Sequence, residues 1–205
     1  MAKNVAKRED LRHKIIELAE TRIAANGLAS LRARDLAHDA GCALGSLYNV
    51  FADLDELVLA VNARTLDSID AVMSEAALGT AEDQLRSLAR AYLNFARENP
   101  QLWRALFDHR LPENRQMPDW YANKLTQLMA LIGRAIHILQ PHLGPQEIAL
   151  RSRTLFAAVH GVVSISLDNR FIGLAAADLD HELQRFLGLL LAGAAANAAT
   201  ASHHQ

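Results

Sequence analysis

Twelve consecutive residues constrain this chain more than any others: Ala40-Gly41-Cys42-Ala43-Leu44-Gly45-Ser46-Leu47-Tyr48-Asn49-Val50-Phe51. They read as the turn and second helix of a helix-turn-helix. Two short helices there meet across a three- or four-residue turn that often holds glycine, because the backbone needs a conformation that a side chain penalises. Gly41 stands at that place. Upstream, Ala33, Leu36, Ala37 and Ala40 recur at helical spacing, and downstream Leu47, Val50 and Phe51 do the same, so each helix has one apolar face. Both are too short to persist alone in water. The neighbour they need is the run over residues 8–26, where Leu11, Ile15, Ile16, Leu18, Ala19, Ile23 and Ala24 form a broad helical stripe that Asn26-Gly27 ends. The expected second helix covers 31–39, capped by Ser30 or starting at Arg32, and the third covers 43–50.

The remaining chain repeats the helical pattern, so the fold class is all-α with about nine helices. Asp53 with Glu56 makes a capping box ahead of Leu57, Val58, Val61, Leu66, Ile69, Val72 and Met73. That fourth helix is expected to run to about residue 78, nearly 40 Å at about 1.5 Å per residue, long enough to act as a lever. Gly79-Thr80 breaks it, and Thr80 with Asp83 forms a second box before helix five. Asn99-Pro100 opens helix six, residues 108–118 form the one substantial loop, and helix seven follows over 119–140. Gly144-Pro145 starts helix eight, expected over 145–170, and helix nine is expected over 178–197. Helix nine is apolar nearly all round and carries small residues at Gly188, Ala192, Gly193 and Ala196, as a helix at a subunit interface does. A symmetric homodimer through helices eight and nine is the expectation. Residues 1–7 read as a loose basic arm and 198–205 as a disordered tail.

Composition narrows the class. With 51% hydrophobic and 21% charged residues the 205-residue chain is not disordered. No apolar run reads as long enough to span a bilayer, and the start is charged without an apolar stretch behind it, which points to the cytoplasm. The one cysteine, Cys42, fits the same compartment and reads as a small apolar side chain in the turn rather than a redox sensor. Net charge is −2, but it is uneven: residues 1–50 carry eight Lys or Arg against six acids, and the other 155 carry 13 against 17. A basic end on an acidic body suits a protein that offers one end to phosphate. The histidines show no metal-ligand spacing, neither His137 with His142 nor His203-His204, so no metal and no cofactor are expected.

The third helix supplies the chemistry. A recognition helix enters the major groove by its amino-terminal end, where bulk would hold it off. Ala43 and Gly45 permit close approach, Ser46 and Tyr48 offer hydroxyls to phosphate, Asn49 can pair with an adenine edge, and Leu44 can meet a thymine methyl. Arg32 and Arg34 add charge beside it.

Arg34-Asp35-Leu36-Ala37, Ala40-Gly41, Gly45-Ser46-Leu47-Tyr48, Phe51 and Asp55-Glu56-Leu57 together resemble the amino-terminal domain of TetR-family transcriptional regulators, over residues 8 to 65. In that family the positions of Ser46 and Tyr48 commonly contact the DNA backbone. The chain departs from the pattern at Leu44 and Leu54, where lysines are frequent, at Val50, where an aromatic or His is usual, and at Arg32, where Ser or Thr caps the helix. Cys42 stands where the family has Val. The resemblance implies a DNA-binding domain over 1–52 and a helical effector-binding and dimerisation domain over 53–197. It also implies a repressor released from a double-stranded operator by a small, mostly apolar molecule. Trp103, Phe107, Trp120, Tyr121 and Phe156 are then the expected pocket, with His109, His137 and His160 as polar anchors and Arg104 a weaker one. The competing readings are a helical adaptor for protein partners and an enzyme using the aromatic pocket. No nucleophile elbow, phosphate-cradling loop or metal motif supports the enzyme.

Overall fold

The computed structural model describes residues 2–168 and 172–202, which form nine α-helices and, among the described residues, no β-strand. The helices are α1 (Ala2–Asn26), α2 (Ala33–Ala40), α3 (Leu44–Tyr48), α4 (Leu54–Ala76), α5 (Ala81–Glu98), α6 (Pro100–Asp108), α7 (Asp119–Leu139), α8 (Pro145–Leu167) and α9 (Leu179–Ser202). A single 3-10 turn, Leu28–Ser30, joins α1 to α2.

Several boundaries differ from the sequence reading for identifiable reasons. The expected loose arm over 1–7 is, from Ala2 on, the start of α1, since no glycine or proline interrupts it before Gly27. Ser30 does not cap α2: its hydroxyl donates back to the Gly27 carbonyl at 2.7 Å, closing the 3-10 turn, and Arg32 takes the N-cap position. The third helix is shorter than 43–50, because Ala43 is its cap and Asn49-Val50 turn out of it. Residues 198–202 of the expected tail continue α9, and 203–205, with His203-His204, lie outside the described residues. The end of the expected helix eight, 169–170, lies outside them too. The expectation that no apolar run is long enough to cross a membrane is corrected by α8, whose 23 residues pass that test by length and composition.

Both expected capping boxes hold their helices. Asp53 Oδ1 accepts from the Glu56 amide at 2.8 Å, while Glu56 Oε2 reaches back to the Ala52 amide at 2.8 Å. Thr80 and Asp83 exchange side-chain and backbone bonds, at 3.2 Å from each backbone amide.

The chain packs into two units, Met1–Ser68 with Asn99–Lys124, and Ile69–Glu98 with Leu125–Gln205. This division cuts across the expected line between 52 and 53, because α6 packs on α1 and on the 3-10 turn. The first unit's core gathers Ile15, Ile23, Leu36, Leu47, Phe51 and Leu57, all fully buried, with Ala105 of α6 among them. Each such aliphatic side chain contributes about 1.5–3 kcal/mol on burial, which is what holds the short α2 and α3 in place. The second unit packs α5 against α8 and α9, and Leu85, Leu88, Leu93, Val159, Leu183 and Leu187 on these helices are buried.

Candidate nucleic-acid interface

Gly41 ends α2 with φ 71° and ψ 34°, the left-handed region that glycine enters without penalty. Its amide bonds the His38 carbonyl at 2.9 Å and the Cys42 amide bonds the Ala37 carbonyl at 2.9 Å, the paired closure of a Schellman turn. A Cβ at Gly41 would meet nothing within 4 Å, so the backbone alone demands glycine here. The turn sends the chain directly into α3, and Leu47, Val50 and Phe51 anchor that stub in the core. Cys42 and Leu44 are half-buried against the same core.

Three side chains of α1 brace the pair. Lys14 Nζ donates to the Ala40 carbonyl at 2.9 Å, placing a cation at the α2 carboxyl end. Arg22 bridges Asp35 at 3.0 Å and Asp39 at 2.5 Å, and with His38 it holds the Asp39 carboxyl below its usual range, the His38 bond being the larger cause. Arg12 lies over the Phe51 ring, 4.5 Å from its centre. Two acids near the helix-turn-helix are thereby compensated within the fold.

What remains outward is compact. Gly45 is exposed, with open space where a Cβ would stand. Ala43 and Asn49 are exposed, Tyr48 is 46% exposed, and Ser46 is half-buried. Arg34 is exposed and meets no ion-pair or hydrogen-bond partner among the described residues. Arg32, also exposed, spends its guanidinium on the Ala29 and Leu31 carbonyls at 2.8 and 2.9 Å. The fold therefore brings the expected DNA-facing residues to one helix-turn-helix and leaves most of them open.

The expected ligand residues are not brought together in one unit. Trp103, Phe107, His109, Trp120 and Tyr121 belong to the first, and His137, Phe156 and His160 to the second. His109 is committed to the start of α4, its Nε2 lying 3.0 Å from Asp55 Oδ1, and Arg115 pairs with Asp53 at 2.5 Å. Trp103 is fully buried against Phe107, whereas Trp120 and Phe107 are 44% and 39% exposed. Tyr121 is buried, which pushes its phenol up against the opposing effect of an Asn62 hydrogen bond. Asn62 itself donates to the Ala105 carbonyl at 3.2 Å, and its Oδ1 has no partner among the described residues. His137 is exposed on α7. His160 stacks on Phe156 and lies 2.8 Å from the Tyr92 hydroxyl, and burial holds its imidazole below the usual value, with the Asp168 charge opposing. Phe156 and Tyr92 border a cavity of about 20 Å³, space for little more than a water. Among the described residues no group of three or more His, Cys, Asp or Glu is placed to hold a metal.

Sequence reasoning missed the bracing residues Lys14, Arg22 and Arg115. Their partners lie 26, 13 and 62 residues away, and no periodic pattern encodes such pairings.

Fold and exposed tip together define a helix-turn-helix protein with a second, helical unit. Residues 85–190, just over half of the chain, match the family of Tetracyclin repressor-like C-terminal domains. The chain therefore belongs to the TetR family of transcriptional regulators, a family of regulators and not of enzymes. Among curated proteins it is similar to the HTH-type transcriptional regulator Rv1816 of Mycobacterium tuberculosis, 28% identical over 133 residues. That match takes in 63% of this chain and 57% of the relative, so little more than half of the relative's length is spanned. Among solved structures, a TetR transcriptional regulator from Rhodococcus sp. RHA1 superposes with a TM-score of 0.62 at 19% identity, over 89% of this chain and 97% of that one. BioQ, solved with its double-stranded DNA operator, gives 0.62 at 19% identity over 90% and 98%. These likenesses extend the shared fold to both units.

Proposed function

We propose that this chain is a cytoplasmic, DNA-binding transcriptional regulator. It acts as a homodimer through α8 and α9 and as a repressor released from its operator by a small, mostly apolar molecule. The observation that carries the DNA-binding part is the outward set Arg34, Ala43, Gly45, Tyr48 and Asn49 on a braced helix-turn-helix whose nearby acids are already paired. A recognition stub so shaped can approach base edges, while Ser46 and Tyr48 bond phosphate and Arg34 neutralises it. The operator-bound structure of BioQ, which shares the fold, supports the same reading.

Dimerisation is supported by large apolar side chains left outward on the last two helices, Leu150 at 66%, Leu189 at 74% and Leu190 at 40% exposure. A patch of this kind is a usual mark of an interaction site. The domain roles follow: residues 1–52 read DNA, and 53–197 carry effector binding and dimerisation.

The test is a gel shift of the DNA upstream of the protein's own gene at several salt concentrations. Wild type should bind more weakly as salt rises, and Arg34→Ala should lower the logarithmic salt slope by about 1.8, about 0.9 for each protomer of the dimer. An unchanged slope removes Arg34 from the contacts. Gly45→Ala should weaken binding without destabilising the protein, since the added methyl meets only open space in the free form. No shift at any salt overturns the reading.

A further inference from the structure

We propose that the first turns of α1 are a second DNA contact, a helical spur whose Lys7 and Arg8 sit on the phosphates flanking the half-site that α3 meets. The proposal rests on the DNA-binding reading above and adds to it a contact outside the helix-turn-helix.

Residues 5–10 are helical and every one of them is exposed; Leu11 is the first α1 side chain to pack on the core, and Ile15 the first to be fully buried. A stretch of helix that meets solvent on all sides adds nothing to the core and is carried by the packed helix behind it. Farther along α1 every Lys and Arg is spent within the fold. Arg12 pairs with Glu56 at 3.6 Å and covers the Phe51 ring, Lys14 bonds the Ala40 carbonyl, and Arg22 holds Asp35 and Asp39. Lys7 and Arg8 make no hydrogen bond or ion pair among the described residues.

The spent cations fix the direction of the free ones. Partners on α2 climb from Asp35 at Arg22 to Ala40 at Lys14, so the chain leaves α2 toward the amino-terminal end of α1, and α3 begins on that side. Lys7 precedes Lys14 by seven residues, two helical turns, so it shares the face that Lys14 turns to Ala40 and reaches about 10 Å further along the axis. Arg8 precedes Arg12 by four and neighbours it on the side that meets Phe51 and Glu56. Glu9 and Asp10 each follow one of these cations by two residues, about 200° round the axis, and fall on the opposite side. The basic edge of the spur thus faces the recognition stub.

The stub itself, Leu44–Tyr48, carries no Lys or Arg. Neutralised phosphates supply much of a protein's affinity for DNA, so that charge has to come from beside the stub. A helix with its side chains is about 10–12 Å across and the minor groove about 6 Å wide, so the spur cannot enter that groove and lies along its phosphate edge. Contacts of that kind position a protein on the duplex and carry no sequence information.

The experiment is a gel shift of the full chain on the DNA upstream of its own gene and on an unrelated duplex of equal length, from about 50 to about 200 mM salt. Lys7→Gln combined with Arg8→Gln should lower the logarithmic salt slope by about 3.6, about 0.9 for each of four phosphates per dimer, so wild type loses about 150-fold more affinity than the variant over that range. The weakening should be equal on both duplexes. The thermal melt of the free protein should not move, since both side chains are exposed ahead of the core. Glu9→Pro, which breaks the helix ahead of it and keeps both cations, should weaken binding as the double variant does, and Glu9→Ala should not. An unchanged slope in the double variant overturns the proposal, as does a loss confined to the upstream DNA or full binding by Glu9→Pro. Each of those results leaves the DNA-binding reading standing, whereas the absence of any wild-type shift removes both.

Discussion

The first unit keeps its hollow outside a filled core and lines it partly with polar groups, whereas the hollows of the second are lined mostly by apolar side chains. In the first, Ile15, Ile23, Leu36, Leu47, Phe51 and Leu57 are fully buried, and the depression beside Arg22 and Asp39, about 450 Å³, is open and partly polar. In the second, cavities of about 350 and 380 Å³ run along the two flanks of α8, and residues such as Leu155 pack only in part. A surface that must match the fixed shape of a duplex gains from a filled core, since filled cores hold side chains in single positions. A surface that must admit a small molecule needs room, and forgoes the contacts that would fill it. The difference teaches that the two units diverge in the chemistry of their open surfaces more than in the space they leave.

The largest expected effect sets the two units side by side. Leu36→Ala, in the filled core, should cost about 2–5 kcal/mol, while Leu155→Ala, which only enlarges an existing cavity, should cost under about 2 kcal/mol. Denaturant unfolding of both variants measures the gap, and equal costs would break the comparison.

The next effect isolates backbone from packing. Gly41→Ala should destabilise by about 1–2 kcal/mol, although the methyl meets nothing, because only the left-handed backbone resists it. Gly41→Asn should recover part of that loss. A neutral Gly41→Ala in thermal melts would show that the turn relaxes more easily than its Schellman bonding implies.

Smaller still is the cap at the start of α4. Asp53 accepts from the Glu56 amide and pairs with Arg115, so Asp53→Ala should cost about 1 kcal/mol. The ion pair is half-exposed and adds little of this. Arg115→Ala alone should therefore cost less than Asp53→Ala, and a larger cost would show that residues 109–118 hold α4 more firmly than the cap does.

The smallest effect concerns acidity. Burial depresses the His160 pKa in the fold, so between that value and the unfolded value near 6.5 the unfolded chain binds more protons. The contribution is present above about pH 6.5 and declines as pH falls toward the depressed value. Melting temperature should drop from pH 7.5 to 5.5 more in wild type than in His160→Gln. Identical slopes would mean that the imidazole finds a compensating charge when protonated.

Much of the fold was legible because helices announce themselves locally. The 3.6-residue stripes of α1 and α5, the Thr80–Asp83 box, Asn99-Pro100 and Gly144-Pro145 each lie within a few residues of the boundary they set. The same locality explains the outward tip: Gly41 turns the chain, Leu47, Val50 and Phe51 fix the stub, and Ala43, Gly45, Tyr48 and Asn49 are left on its open face. The ligand residues were less legible. Trp103 and Tyr121 belong to the first unit and Phe156 and His160 to the second, a division made by the packing of α6 on α1 rather than by proximity in sequence.

By itself the sequence determined the all-helical class, the order of the helices and the helix-turn-helix, because each depends on contacts between residues a few positions apart. Only the tertiary structure decided which unit α6 joins, which arginines are spent on partners and which are free, and where cavities open beside α8. Those outcomes depend on surfaces distant in the chain meeting in space, and no local pattern carries that information.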